Sequence, residues 1–333
     1  MRSVNVVVLT VSYKSAALTI ESLRSVAAER ERAAPGIDIR AIVVDNASGD
    51  YPLLKRAVAE NGWGSWAQVI LAPRNGGFAY GNNLALQKAF AEHAPDYLHL
   101  LNPDAQVRPG AITALVRFLE AHDTVGIAGS SFENLDGSDW PIAFRFPSLI
   151  SELCAALHIG LVDRLLQRWQ VPRQMSRTAQ PVDWISGASM LIRAKVFATI
   201  GGLDENYFLY FEETDFCRRA RAAGFATWYV PESRVMHDAG QTTKVMERTG
   251  GPTRLPAWWF ESRRRYFAVA FGMRRAILID LIVALAYPVG LLKRFALGRG
   301  ATAVPRYYRD FLRHSVLRPR NRTVAAVRGS INC

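Results

Sequence analysis

Two buried-strand patterns with a helix pattern between them restrict this chain more than any other feature. Val4 to Val11 is an unbroken apolar run of strand length. A helical pattern follows from about Leu18 to Arg32, and IDIRAIVVDNASGD then gives a second run that ends in Asp45 and Asn46. Continuous apolar strands are covered on both faces, and strand, helix and strand in that order predict a parallel α/β sheet. Sheets of this kind bind ligands at the carboxyl ends of their strands. Asp45, just past Val44, stands at one such end.

A helix over 52–61 and a short strand from Gln68 to Leu71 lead to PRNGGFAYGNNLALQKAF. Asn75, Gly76 and Gly77 permit a tight, left-handed turn. A helix beginning near Phe78 would aim free backbone N–H groups at that turn, where a phosphate could be received. A nicotinamide fingerprint would instead follow the first strand, and SYKSAA has no glycine. Tyr97 to Leu101 reads as a fourth strand, ending in Asn102-Pro103-Asp104-Ala105. An acid held behind a proline turn suits a hard divalent cation shared with substrate phosphates, although Pro-Asp is also an ordinary turn dipeptide.

A helix over 109–121 and a strand from Val125 to Gly129 complete the first half. Residues 131–181 lose the alternation, carry Trp140, Phe144, Arg145, Phe146, Trp169 and Arg173, and read as a lid or insertion over a site. In VDWISGASMLIR the small residues Ser186, Gly187 and Ala188 break a strand and allow a ligand or another backbone to come close.

GLDENYFLYFEETDFCRRARAAG, residues 202–224, places Glu212, Glu213 and Asp215 at the start of a helix that ends at Gly224. At 3.6 residues per turn Glu213 shares a face with Phe216, Cys217 and Ala220, while Glu212 lies nearer Asp215 and Arg219, so one carboxylate points inward. The helix dipole favours its anion and an apolar surround raises its pKa, which makes Glu213 a candidate general base. Acids also simply cap first turns. A short strand from Thr227 to Val230 and Val235-Met236-His237-Asp238 follow. A lone histidine is ordinarily structural. His237 becomes a metal-ligand candidate only together with Asp104, since imidazole with carboxylate suits Mn²⁺ as well as Zn²⁺.

The net charge of +12 belongs to the C-terminal part. From Arg254 to Cys333 there are 16 Arg and Lys against Glu261, Asp280 and Asp310, a net of +13, and the remainder nets −1. Such a tail can meet nucleic acid, anionic lipid or a phosphorylated substrate. Within it AILIDLIVALAYPVGLL, residues 276–292, is flanked by Arg274, Arg275, Lys293 and Arg294. A spanning helix needs about 20 apolar residues. This run is shorter and contains Asp280 and Pro288, so it is expected to lie on or dip into a membrane, with a buried amphipathic helix as the alternative. Cys154, Cys217 and Cys333 are odd in number and form no CxxC pair, which predicts neither a disulfide framework nor a thiolate metal site and fits a reducing compartment. No small-residue cleavage site follows VNVVVLTVSY, so no signal peptide is expected.

VVDNASGD, RNGGFAYGNN, LNPDA, WISGASMLIR, GGLDENYFLYFEETDFCRRARAAG and VMHDAG stand in this order across roughly residues 3–240. Together they resemble the inverting family 2 glycosyltransferases of the GT-A fold, and WWFESRRRYF with its basic tail resembles bacterial rhamnosyltransferases of surface-polysaccharide assembly. The resemblance implies a Rossmann-like mixed sheet, mostly parallel and flanked by helices, over 1–253, with 131–181 on the acceptor side. A basic helical extension over 254–333 would meet an anionic membrane surface. It implies a nucleotide-sugar donor whose base and ribose meet Thr10, Ser12, Tyr13 and Asp45, and whose diphosphate and sugar meet Asn75, Gly77, Phe78 and Asn82, with Asn102, Asp104 and Gly187 completing the pocket. Asp104 matches the last acid of the family's DxD motif and His237 a histidine that joins the metal, Mg²⁺ or Mn²⁺. Glu213 matches the base, beside Glu212 and Asp215.

Two departures stand out: Asn102 replaces the first acid of DxD, and Glu213 stands where Asp is usual. The donor implied is dTDP-rhamnose, or a UDP-sugar, and the acceptor a glycan or a polyprenyl-diphosphate-linked sugar. The place implied is the inner face of the cell membrane, from the cytoplasmic side, with a homo-oligomer left open. Three other readings are a regulator that binds nucleotide-sugars without turnover, a nucleotidyltransferase that releases diphosphate, and a nucleic-acid binder using tail aromatics such as Tyr266 and Tyr307. The apolar run fits lipid better than bases, so no nucleic-acid partner is expected.

Overall fold

The computed structural model describes residues 3–140, 142–157, 169–237, 253–296 and 304–317. The first crossover forms as the apolar runs require: β1 (Val4–Ser12), α1 (Ala16–Arg32) and β2 (Ile37–Asp45), then α2 (Tyr51–Glu60) and β3 (Ala67–Leu71). β1 and β2 pair parallel from Val4 opposite Ile37 to Ser12 opposite Asp45, which ends both strands at one edge. α3 (Gly77–His93), β4 (Tyr97–Leu101), β5 (Ala105–Val107), α4 (Ala111–Glu120) and β6 (Val125–Glu133) follow. The inserted segment gives β7 (Asp139–Trp140), β8 (Ile142–Phe144), α5 (Leu149–Leu157), β9 (Pro172–Gln174) and β10 (Gln180–Val182). The chain then returns as β11 (Ser189–Arg193), α6 (Ala194–Ile200), α7 (Glu212–Ala222) and β12 (Ala226–His237).

The large sheet has the order β10, β12, β6, β11, β4, β1, β2, β3, with β5 on β12 and β7 on β6. It is mixed, because β11 runs antiparallel between β4 and β6. That reversal has a use. Ser189 at the start of β11 pairs with Leu101 at the end of β4, so Ser186, Gly187 and Ala188 arrive at the same carboxyl edge as Ser12, Asp45 and Asn102. The small residues therefore precede the strand instead of interrupting it. β12 is longer than its apolar core suggested, with a register shift between Val230 and Arg234 that carries it on to His237.

Two apolar layers cover the sheet. Leu23 and Val26 of α1, Leu54 and Val58 of α2, and Ile112, Leu115, Val116 and Leu119 of α4 pack on one face. Ala79, Ala85, Leu86 and Ala89 of α3, Val196 and Phe197 of α6, and Phe216, Cys217 and Ala220 of α7 pack on the other. A buried acid secures the first layer: the Glu29 carboxylate accepts the N–H groups of Gly110, Ile112 and Thr113, donors that the first turn of α4 leaves unpaired.

The C-terminal helices α8 (Ala257–Phe271), α9 (Met273–Ala296) and α10 (Tyr307–Phe311) build a third core, which takes in Ala156 from α5 and Tyr207 from the segment before α7. At its centre Arg263 is fully buried. It reaches Asp280 of α9 at 2.5 Å and Glu152 of α5 at 2.5 Å, and lies over the rings of Phe267 and Phe311. Arg264 binds the other Asp280 oxygen at 2.5 Å. These contacts explain an acid inside the apolar run: Asp280 faces inward to a cation. They also dock α5 on the tail, and a Cβ at Gly290 of α9 would sit 2.1 Å from the Ala156 carbonyl oxygen. Residues 158–168 of the insertion, 238–252, 297–303 and 318–333 lie outside the described residues.

Among the described residues α9 alone is long and apolar enough to cross a membrane by length and composition, and 39% of its apolar window is buried. Ala276, Ile279, Val283, Ala284 and Tyr287 face the third core, whereas Leu278, Leu281, Leu285, Val289, Leu292 and Phe295 form a stripe open to the outside. The helix is thus apolar on both sides and covered on one.

Removing the central cation of a buried ion network deprives Glu152 of this partner and leaves Asp280 with Arg264, at a cost of about 3–5 kcal/mol. Arg263→Met is expected to lower unfolding stability by that order in a urea titration. A loss below about 1 kcal/mol would show that the network is not a structural keystone.

Candidate active site

The acid-bearing helix is set by the strained loop in front of it. Tyr210 (φ 67°) and Phe211 (φ 71°) are consecutive non-glycine residues in the left-handed region, at roughly 1–2 kcal/mol each. Such strain persists where surroundings over-determine it. Here Asn83 binds the backbone of Leu203 in both directions, at 2.8 and 3.0 Å. Arg265 of α8 pairs with the buried Asp204 at 2.5 Å, and Ser262 Oγ donates to the Leu209 carbonyl at 3.1 Å.

The loop delivers the three acids to different surroundings. Asp215 is fully buried and spent on Arg218 (2.8 Å) and Arg219 (2.9 Å), and Arg219 in turn donates to the carbonyls of Ile200 and Gly202. Glu212 and Glu213 both face the interior, where the helix period alone allowed only one; Glu212 is 2% exposed and Glu213 keeps a part-exposed edge. Helix periodicity does not report what covers a first turn. One oxygen of each, Oε2, is shut off from solvent with no hydrogen-bond partner among the described residues. Burial is the main reason that Glu213 is pushed up to about 7, with its own N–H and that of Gly187 acting in the opposite direction. Glu212 is pushed up as well, first by burial and then by the charge of Glu213.

Gly187 stands beside this carboxylate. A Cβ there would lie 3.2 Å from the Phe78 ring and 3.9 Å from Glu213 Cβ, so Glu213, Gly187 and Phe78 line one space. Phe78 is reached through the glycine turn. Gly77 has φ 87°, and a Cβ there would sit 1.9 Å from the Phe208 carbonyl oxygen, which accepts from Phe78 N at 3.0 Å. The start of α3 differs from the expected open anion site. Gly76 N donates to Asn46 Oδ1, Gly77 N to Asn75 Oδ1 and Phe78 N to Phe208, so the leading donors are satisfied by protein. Asn82 Nδ2 donates to the Phe78 carbonyl at 2.9 Å, while its buried Oδ1 has no hydrogen-bond partner among the described residues.

At the ends of β1 and β2, Thr10 and Ser12 are buried and Tyr13 is 37% exposed. The Asp45 carboxylate is fully buried; it accepts from Ser48 N at 3.0 Å, from Ser48 Oγ and from Tyr51 N at 3.0 Å, joining β2 to α2. Asp50 similarly takes Ser15 N and Ala16 N at the start of α1. Past β4, Asn102 N donates to the Ala188 carbonyl at 3.1 Å, which ties the proline turn to the residue after Gly187. Pairing of β12 with β5 sets His237 opposite Ala105, and His237 Nε2 lies 3.4 Å from Asp104 Oδ1, both residues buried. His237 Nδ1 is buried and has no hydrogen-bond partner among the described residues. No group of three or more His, Cys, Asp or Glu forms a metal cluster among the described residues.

Sequence reasoning missed Asn46, Asp50 and Asn83. Asn46 holds the glycine turn, its Nδ2 reaching Asn75 Oδ1 at 3.0 Å and the Gly77 carbonyl at 3.1 Å. Its signal was its place directly after Asp45 in VVDNASGD. Nothing in the helical pattern around Asn83 marked it.

A buried carboxylic acid that titrates near neutrality, facing a space walled by glycine and phenylalanine at the carboxyl edge of a mixed α/β sheet, can take a proton from a bound hydroxyl group. The model of the glycosyltransferase-like family 2 matches residues 2–250, and the chain belongs to that family. It is 34% identical over 152 residues to the N-acetylglucosaminyl-diphospho-decaprenol L-rhamnosyltransferase of Mycobacterium tuberculosis, a match over 44% of this chain and about half, 48%, of that protein's length. It is 26% identical over 199 residues to rhamnosyltransferase WbbL of Escherichia coli, over 58% of this chain and 70% of that protein. The mannosyltransferase PcManGT of Pyrobaculum calidifontis, solved with GDP-Man and Mn²⁺, shares the fold with a TM-score of 0.54 at 15% identity, over 90% of this chain and 76% of that one. The arrangement is GT-A-like, a mixed sheet flanked by helices with a C-terminal helical region.

A carboxyl group whose folded pKa is about 7 against an ordinary 4.5 is favoured by folding in its protonated form. Its penalty develops as pH rises from about 4.5 and is complete above about 7. Glu213→Gln cannot ionise, so its Tm is expected to exceed that of the wild type at pH 8 and to converge with it at pH 5. An equal difference at both pH values would mean that Glu213 has an ordinary pKa.

Proposed function

We propose that the chain is an inverting glycosyltransferase with Glu213 as its general base. The observation that carries this reading is the Glu213 carboxyl, raised to about 7 by burial and set beside Gly187 and Phe78. A base poised near neutral pH combines the correct protonation state with the strongest drive for proton transfer. In the step proposed, an acceptor hydroxyl oxygen attacks the anomeric carbon of the donor as the bond from that carbon to the diphosphate oxygen breaks. The hydroxyl proton passes to Glu213, the bonding pair leaves with the nucleoside diphosphate, and the configuration inverts. Burial and the Glu213 charge both push Glu212 towards its neutral form, which keeps a second negative charge away from the base.

Thr10, Ser12, Tyr13 and Asp45 are proposed for the base and ribose, with exposed Tyr13 beside Lys14 and Asp45 also fixing the local turn. Asn75, Gly77, Phe78, Asn82 and Asn102 are proposed for the diphosphate and sugar. Asp104 and His237 fit a divalent cation in part: a carboxylate and an imidazole lie together, buried, with one imidazole nitrogen lacking a hydrogen-bond partner among the described residues. Mg²⁺ or Mn²⁺ bound there would neutralise charge on the donor diphosphate and would take its remaining ligands from that diphosphate and water. The names of the Mycobacterium tuberculosis and Escherichia coli relatives support rhamnose as the sugar, and that of the former supports a polyprenyl-diphosphate-linked acceptor; dTDP-rhamnose is proposed as the donor. A UDP-sugar donor is the second reading, since a carboxylate acceptor at Asp45 would serve thymine and uracil alike.

Glu213→Gln is expected to fold and to bind donor as the wild type does while transfer falls at least about 100-fold. Transfer within a few-fold of wild type removes Glu213 from the role. A calorimetric screen of dTDP-rhamnose, UDP-glucose and GDP-mannose, with and without Mn²⁺, tests the donor. Heat from UDP-glucose alone replaces the substrate, and heat from none replaces the function.

The acceptor reading places the enzyme at the inner face of the cell membrane. The open stripe of α9, flanked by Arg274, Arg275, Lys293 and Arg294, is proposed as the surface that lies in the lipid interface, aided by roughly 1 kcal/mol for each cation near an anionic bilayer. Leu285→Glu combined with Leu292→Glu should lose co-sedimentation with phosphatidylglycerol vesicles and retain the melting temperature. Unchanged sedimentation defeats this assignment.

A further inference from the structure

We infer that Trp258 of α8, together with Phe208 and Tyr210, forms an aromatic platform that receives a pyranose ring of the acceptor next to the base. The inference rests on the glycosyltransferase reading of the site and adds to it a residue beyond the segment matched by the family model.

The platform comes from the strained loop. Between Asp204 and Glu212 the side chains part in two directions. Tyr207 is fully buried in the third core beneath Arg265, and half-buried Phe211 meets Trp259 and Tyr266. Phe208 is 36% exposed and Tyr210 half-exposed, and both turn to Trp258. The Tyr210 ring lies 5.9 Å from that of Trp258 at an interplanar angle of 24°, and the Phe208 ring lies 5.8 Å away at 52°. The left-handed backbone at Tyr210 and Phe211 permits this division, and a chain that bears such strain with two bulky aromatics in place of glycine puts it to use.

The loop that carries Phe208 and Tyr210 adjoins the reacting centre. The Phe208 carbonyl oxygen holds Phe78 N at 3.0 Å, and the Phe78 ring walls the space in front of Gly187 and Glu213. A sugar presents C–H groups with partial positive charge on one face of its ring, and these settle on the negative face of an aromatic ring, while its hydroxyl edge stays free for the base. Three part-exposed aromatics beside a largely buried carboxylate match such a ring. The donor base, by contrast, is assigned to the ends of β1 and β2 across the sheet edge.

The test uses the full chain and two independent readouts. Saturation-transfer NMR with the octyl β-glycosides of N-acetylglucosamine, glucose and rhamnose is expected to give signals on the ring protons of at least one glycoside with the wild type. Trp258→Ala should abolish these signals and Trp258→Phe should restore them in part. In transfer assays Trp258→Ala should raise the acceptor KM at least tenfold and leave kcat and the donor KM within twofold. Equal signals from Trp258→Ala and wild type, no signal from the wild type with any glycoside, or a donor KM that rises in parallel would each overturn the platform. Loss of vesicle binding in Trp258→Ala with an unchanged acceptor KM would also overturn it, by assigning the ring to lipid. Because glycoside binding is read without turnover, failure of the platform is distinct from failure of the glycosyltransferase reading, which the donor screen decides. If Trp258→Ala melts below assay temperature, Trp258→Leu replaces it with the same expected outcomes.

Discussion

A single backbone carbonyl, that of Phe208, joins the two halves of the site. It accepts from Phe78 N at 3.0 Å and occupies the space where any side chain at position 77 would stand, so the glycine turn and the acid loop have one relative position. The rest of the site follows from that contact. It sets Phe78 against Gly187 and Glu213, and the loop that carries it continues through Tyr210 and Phe211 in the left-handed region. The strain is then carried by partners outside the loop: Asn83 of α3 at one end, and Ser262 and Arg265 of α8 at the other.

The fold was legible where the physics is local and repetitive. Apolar runs of strand length separated by helical periods gave β1, α1 and β2 nearly to the residue, because a strand buried on both faces has no other composition available. The carboxyl edge followed from the same argument, and Asp104 with His237 do meet there. The antiparallel return of β11 was not legible, since pairing direction is set by where a long inserted segment re-enters the sheet and leaves no mark on a five-residue strand.

Within the site, residue type was easier to read than engagement. Asp45 and Asp215 stand where expected, yet the carboxylate of Asp45 accepts three bonds from Ser48 and Tyr51, and that of Asp215 is paired with two guanidinium groups. A buried charge must be satisfied, and its satisfaction depends on backbone groups that no side-chain pattern encodes. The start of α3 illustrates the same limit. A glycine turn before a helix advertises free N–H donors, but Asn46, Asn75 and Phe208 had already claimed the leading ones. Glu212 and Glu213 are distinguished by burial, which the helical period did not resolve.

The third core ties together three parts of the chain that are distant in sequence. Tyr207 of the acid loop, α5 of the insertion and the three C-terminal helices share one apolar interior, with Arg263 neutralised by an acid from each of two of these elements. The tail is consequently not an interchangeable cassette. A change in the insertion, the acid loop or the C-terminal helices is therefore felt by the other two through the interior they share.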